Sequence, residues 1–361
     1  MHSRLDPTSK GTMSAARSLG AALTLAALAG CRDSTGPRDE SSFTAPIVGV
    51  PMDDVFYGAY LDHDPGTGAR DHACGLKSYN GHGGVDILLR NFQVQDKGVP
   101  VIAAADGTVT WVSDGLPDRN ITWEGTSGFG NAVEITHPGG LSTIYGHLRR
   151  GSVAVSNGES VRRGAVLGLV GSSGRSNWPH LHFEVRKGGA SIDPFAGDCS
   201  PSQSLWADQL PYQNAFEVTD AGITDQPGAF AVLIERPPTL STFPLNATGF
   251  RFWLQVANQP AAQTRFELRA PGGALRNAGQ VQAGASFSMR YFVLDVPVSG
   301  ELIEAGAWQI RTYQGDKLIH TQPFTLLPAG AAGGPATPSL RGTFPFAVRV
   351  FDQPPGAEAH P

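Results

Sequence analysis

Between residues 46 and 210, apolar and polar positions alternate in short runs punctuated by glycine. Val133 and Ile135 alternate with Ala132, Glu134 and Thr136, then Pro138-Gly139-Gly140 interrupts before Leu141 to Leu148, the pattern of a β-hairpin. Residues 99–114 (VPVIAAADGTVTWVSD) read as two strands broken at Asp106-Gly107, and the valines and glycines of 153–174 are spaced as in a small, tightly turned barrel. From 211 to 328 the same period continues with a different texture. Phe250, Phe252, Leu254 and Val256 alternate with Arg251, Trp253 and Gln255, and Phe266 and Leu268 with Arg265, Glu267 and Arg269. Trp308 to His320 reads as a hairpin turning at Gln314-Gly315-Asp316. Short alternating strands at this spacing predict an antiparallel β-sandwich of immunoglobulin-like type.

This pattern predicts a mainly β chain of two modules: an antiparallel, barrel-like sheet over 46–210, and the sandwich over 211–328. The low-complexity run AGAAGGPATPS opens a linker and tail over 329–361, where apolar Phe344 to Phe351 could return to the sandwich as a strand. A length of 361 residues suits two domains of roughly 150 residues each. The 45 glycines and 27 prolines favour turns over helical bundles. A net charge of −5 lacks the basic footprint that phosphate-backbone binding needs, which excludes nucleic acid as a partner.

The N-terminus adds an address. After Arg17, residues 19–31 (LGAALTLAALAGC) are apolar but too short to span a bilayer, and have the size of a signal-peptide core. Met13 is an alternative start that leaves a well-proportioned signal. Leu28-Ala29-Gly30-Cys31 resembles a bacterial lipobox, which implies a signal peptide over 1–30, cleavage before Cys31 and lipidation of its thiol. An ordinary secretory signal with a chance cysteine is the alternative. Residues 31–45 then form a flexible tether, and the protein is expected in the cell envelope, exported and held to a membrane by lipid. Arg32 after Cys31 favours the outer membrane if the host is Gram-negative. With Cys31 acylated, Cys74 and Cys199 remain, in a compartment where disulfides persist, either bridged or as two free thiols.

Candidate chemistry lies in the first module. Gly81-His82-Gly83-Gly84-Val85-Asp86 sets a histidine four residues before an aspartate, Tyr145-Gly146-His147 follows, and Pro179-His180-Leu181-His182 sets two imidazoles two apart. On a strand, His180 and His182 share a face. Two histidines and a carboxylate make a ligand set for zinc with one position open, although other divalent ions also accept it. Each motif alone is weak; their order is not. GHGGVDI, ADGTV, GFGNAVEITH, YGHL, VRRGAVLGLVGSSG and PHLHFEV, over about residues 75–195, together resemble the lysostaphin-type (LytM-like) zinc endopeptidases. The upstream stretch YLDHDPGTGARDHACGLKSYNGH is similar to a cysteine-bearing subgroup of them.

The resemblance implies an antiparallel β fold with a groove, one Zn²⁺ per chain, and hydrolysis of peptide bonds in peptidoglycan, in cross-links or stem peptides. It assigns His82, Asp86 and His182 as zinc ligands, and His147 and His180 as catalytic histidines that do not bind metal. Tyr145, Asn177 and Trp178 are candidates to line the groove, with packing an equal role for Tyr145. Trp178 departs from the glycine usual in the family and puts subsite preference in question. His63, His72 and His137 read as structural, and Asp62, His63 and Asp64 as a weak second cation site. Some relatives of this fold have lost ligands and act as amidase activators or envelope scaffolds, the chief alternative here. A biotinyl-type carrier would need a lysine in a tight turn, and 153–174 has none. The sandwich leaves three roles open: binding a glycan, recruiting an envelope protein partner, or simply covering the peptidase.

Overall fold

A computed structural model of the chain describes residues 42–51, 54–122, 128–298, 304–328 and 347–352. The expected signal peptide, Cys31 and nearly all of the tether lie outside the described residues, as does the run 329–346. No described helix is long and apolar enough to cross a membrane.

The first module contains β1 (Val55–Ala59), β2 (Val85–Leu89), helix α1 (Phe92–Asp96), β3 (Pro100–Ile102), β4 (Gly107–Ser113), β5 (Ala132–Thr136), β6 (Leu141–Gly146), β7 (Ser160–Val161), β8 (Val166–Leu169), β9 (His180–Lys187) and β10 (Ala190–Ile192). The predicted hairpin about Pro138 is β5–β6, and the break at Asp106-Gly107 separates β3 from β4. Seven strands lie in the order β1-β2-β9-β6-β5-β4-β7, with β10 added beside β9. Every pairing in this sheet is antiparallel. β3 and β8 form a separate two-stranded sheet. Val85, Ile87, Ile135, Leu181 and Phe183 on the large sheet enclose one core with Val101 and Leu167 of the small one. Alternation explains β9: Leu181, Phe183 and Val185 take the core face, which leaves His180, His182 and Glu184 to the other. Asn91 caps α1, its Oδ1 accepting from Val94 N at 3.0 Å. Cys74 and Cys199 are joined in a disulfide.

The second module contains β11 (Glu217–Thr224), helix α2 (Phe230–Leu233), β12 (Thr242–Pro244), β13 (Gly249–Gln259), β14 (Ala262–Arg269), β15 (Leu275–Ala283), β16 (Ser286–Pro297), β17 (Gly306–Gln314), β18 (Lys317–Leu327) and β19 (Val348–Asp352). A four-stranded sheet, β11-β13-β16-β19, faces a five-stranded one, β12-β18-β17-β14-β15. Phe252, Leu254, Phe292 and Leu294 of the first meet Phe266 and Trp308 of the second. Within the tail, β19 pairs with β16 at the edge of the four-stranded sheet. The one parallel pairing among the described strands is β12 with β18.

Alternation along β13 predicts one buried and one exposed face, and the structure departs from it. Trp253 and Gln255 are as buried as Phe252 and Leu254. The reason is a third apolar cluster, in which Trp253, Met289 and Tyr291 pack against Phe56, Leu88 and Trp178 of the first module. Gln255 Nε2 donates to the Arg90 carbonyl at 2.8 Å, and Lys77 Nζ reaches Asn258 Oδ1 at 2.8 Å. The described residues of 46–210 and 211–328 therefore pack against one another through this cluster.

Candidate metal centre

β2 and β9 are paired with Asp86 opposite His182 and Leu88 opposite His180, and β6 sets Gly146 opposite His182. This register brings three distant segments to one point. His82 arrives from the loop before β2, with its N–H bonded to the Tyr79 carbonyl. His147 follows β6 with φ of 59°, a left-handed backbone uncommon outside glycine, and its N–H donates to the Phe129 carbonyl at 2.7 Å. The five predicted residues are all 4% exposed or less.

His82, Asp86 and His182 form a group able to hold a metal ion. His82 Nε2 lies 3.2 Å from Asp86 Oδ1, His182 Nδ1 lies 3.0 Å from the same oxygen, and the two nitrogens are 3.4 Å apart. Donors bound tetrahedrally at zinc's usual lengths sit about 3.3 Å from one another. The hydrogen-bond chemistry points the same way. His82 Nδ1 is 2.8 Å from the Tyr60 carbonyl, which can only accept, so Nδ1 carries the proton and Nε2 a lone pair. His182 Nε2 is 3.3 Å from Glu184 Oε2, a carboxylate, which leaves the lone pair on Nδ1. With both imidazoles neutral, three lone-pair donors converge, an arrangement that a cation between them relieves. The residues fit a divalent metal of zinc's type.

Around this group stand a carboxylate and rings that hold its side chains in place. Burial alone would raise the Glu184 pKa, but hydrogen bonds from His182, Arg186 and Ser191 outweigh it and lower it. The Tyr79 ring stacks on His82 at 4.2 Å, and its hydroxyl is 3.3 Å from Asp86 Oδ2. Gly84 is sterically required, since a Cβ there would stand 2.8 Å from the His182 ring and 2.7 Å from the Phe183 carbonyl.

His180 Nε2 faces Asp86 Oδ1 at 3.7 Å, and its ring lies 4.5 Å from that of His147. Both rings are oriented by carbonyls: His180 Nδ1 is 2.7 Å from Trp178 O, and His147 Nδ1 is 2.8 Å from Ser173 O. A carbonyl accepts, so each ring keeps its proton on Nδ1 and offers Nε2.

The expected groove residues lie elsewhere. Tyr145 is in the core, its hydroxyl accepting from Ala104 N at 2.8 Å and from Thr143 Oγ1, and burial pushes its pKa up to about 12. Trp178 lines no groove. It is fully buried against the second module, its indole packed with Tyr291 and Phe230. Asn177 is buried beside it, and its side-chain amide has no hydrogen-bond partner among the described residues. His137 bonds the Asp106 carbonyl and Thr143 Oγ1, and His63 bonds Asp193. Asp62 accepts from the backbone N–H groups of Asp64, Arg70 and Gly81, a role that organises the loop. Glu184 escaped the sequence reading, although its place two residues after His182, on the same strand face, was a usable signal.

Residues 80–194 match the family model described as Peptidase family M23. The chain carries an M23 (LytM-type) peptidase domain. It is 34% identical over 146 residues to the DD-carboxypeptidase/endopeptidase Mpg of Neisseria meningitidis, covering 40% of this chain and 29% of that protein. It is 39% identical over 95 residues to the murein hydrolase activator EnvC of Escherichia coli, covering 26% of this chain and 22% of that one. Both matches thus span less than a third of the relative. Among solved structures, the catalytic domain of the prophage-encoded M23 protein EnpA from Enterococcus faecalis aligns with 42% of this chain and 92% of its own, at 26% identity and a TM-score of 0.29.

Proposed function

We propose that this chain is a zinc-dependent endopeptidase that hydrolyses peptide bonds of bacterial peptidoglycan, exported to the cell envelope and held there through lipid on Cys31. The observation that carries the reading is the convergence of His82 Nε2, Asp86 Oδ1 and His182 Nδ1, each presenting a lone pair, next to two further imidazoles that each offer Nε2. Zinc in such a site supplies a Lewis acid that brings the pKa of a bound water to about 7. The chain does the rest. Trp178 O and Ser173 O hold His180 and His147 in the tautomer whose Nε2 accepts the proton of the attacking water. Once protonated, that imidazole is a donor for the oxyanion that develops on the scissile carbonyl. Glu184 fixes the tautomer of His182, and Tyr60 O that of His82.

A second reading is a non-catalytic activator of other wall hydrolases. It is favoured by the burial of all five site residues and by the activator named among the relatives. Zinc content and release of free amines from purified peptidoglycan, measured on the full chain and on His182→Ala, separate the two. The endopeptidase reading expects one zinc per chain and hydrolysis, both lost in the variant. Hydrolysis that persists without metal would sink it, and zinc without hydrolysis would favour the activator.

A further inference from the structure

We infer that Trp178 is a positioning residue for His180, so that the second module, through this one indole, sets the geometry of the catalytic centre. The inference rests on the endopeptidase reading for its catalytic consequence, but its structural content stands on distances alone.

Trp178 has two functions at its two ends. Its indole is fully buried in the cluster between the modules, with ring centroids 5.6 Å from Tyr291 and 5.7 Å from Phe230 of the second module. Its backbone carbonyl accepts from His180 Nδ1 at 2.7 Å, and Ser176 Oγ donates to the same oxygen at 2.9 Å. The two ends are mechanically linked. Trp178 precedes Pro179, and a residue before proline is confined to extended backbone, so the carbonyl direction follows the placement of the residue as a whole.

The indole also ties the segment to β2. Trp178 Nε1 donates to the Leu89 carbonyl at 2.6 Å, and Leu89 N donates to the Pro179 carbonyl at 2.9 Å. β2 carries Asp86 and β9 carries His180 and His182, so this pair of bonds pins the end of the register on which the centre depends. A side chain that merely filled space would not need its carbonyl on the catalytic ring. Here one residue joins the Tyr291 side of the second module to the proton on His180 Nδ1. Releasing it frees the ring to rotate, which takes Nε2 away from its place 3.7 Å from Asp86 Oδ1, or to change tautomer, which puts the proton on Nε2.

The test uses the full chain with Trp178→Gly, Trp178→Phe and, on the second-module side, Phe230→Ala. Three properties are read: the unfolding transition, the His180 tautomer from ring ¹⁵N signals of the metal-free chain, and kcat and KM on peptidoglycan fragments. Trp178→Gly is expected to lose the single Nδ1–H tautomer of His180 and to lower kcat about 10²-fold, with KM changed by less than about two-fold. Trp178→Phe, which keeps an aromatic ring in the socket, is expected to restore the tautomer and most of kcat. Phe230→Ala should shift the His180 signals in the same direction by less, and it decides the matter if Trp178→Gly fails to fold. Unchanged His180 signals in a folded Trp178→Gly chain, or in Phe230→Ala where the glycine variant does not fold, would overturn the inference and leave Trp178 as packing. If the wild-type chain hydrolyses nothing, the endopeptidase reading fails, while the ring signals still decide whether Trp178 positions His180.

Discussion

The two modules are built from the same antiparallel strands, yet they use their faces differently. In the large sheet of the first module, one face of β9 is apolar core and the other is a row of ionisable groups, His180, His182 and Glu184, all buried and all partnered. In the second module, the four-stranded sheet is apolar on both faces: Phe252 and Leu254 look into the sandwich, Trp253 and Tyr291 into the first module. Burying polar groups costs free energy unless each finds a partner, so the first arrangement is kept for the chemistry it allows. The second arrangement contributes the apolar burial that stabilises a fold. The contrast casts the second module as the structural support of the module that carries the candidate metal centre, and three predictions probe that division.

The largest effect is expected from cutting it. A chain ending at residue 210 would expose Phe56, Leu88, Phe92 and Trp178, each 3% exposed or less in the whole unit. Losing several such contacts at about 1.5–3 kcal/mol each exceeds most of a domain's stability. The truncated chain should show no cooperative thermal transition; a sharp melt within a few degrees of the full chain would make the modules independent. A smaller effect is expected on the polar side. Glu184→Gln keeps the shape but removes the carboxylate that holds His182 Nε2–H, and zinc affinity should fall about 10–100-fold while the apo chain still folds cooperatively. Competition with a chromophoric chelator reads this directly, and an unchanged affinity would deny Glu184 its role.

The smallest effect concerns the seam. Burial of Lys77 lowers its pKa to about 7, with Asp71 opposing. The folded chain then binds one proton fewer than the unfolded chain between that value and the ordinary lysine value of 10.5. Stability should therefore rise with pH above about 7, by up to about 1.4 kcal/mol per unit, and be lost again as pH falls through 7. Urea midpoints at pH 7.5 and 9 should move apart in the wild type and draw together in Lys77→Met; equal slopes in the two chains would mean that Lys77 stays charged when folded.

Part of the candidate centre is legible in the amino-acid sequence. Spacing places His180 and His182 on one strand face, and the hairpin around Pro138-Gly139-Gly140 and the break at Asp106-Gly107 follow from turn chemistry. These are short-range properties, fixed by the two-residue period of a strand and the conformational range of glycine and proline. Glu184 was within reach of the same rule. Trp178 and Tyr145 were not, because an aromatic side chain near a catalytic motif satisfies a groove and a core equally well as text.

By itself, then, the amino-acid sequence determined the β class, the positions of the turns and the shared strand face of His180 and His182, since each depends on neighbours a few positions apart. Tertiary structure alone decided which surface the second face of β13 meets, where the indole of Trp178 goes, and which nitrogen of each imidazole keeps its proton. Alternation reports that a face is buried but carries no label for what buries it. The partners here, Trp178 with Tyr291 and Gln255 with Arg90, are more than a hundred residues apart along the chain, and only the folded molecule brings them together.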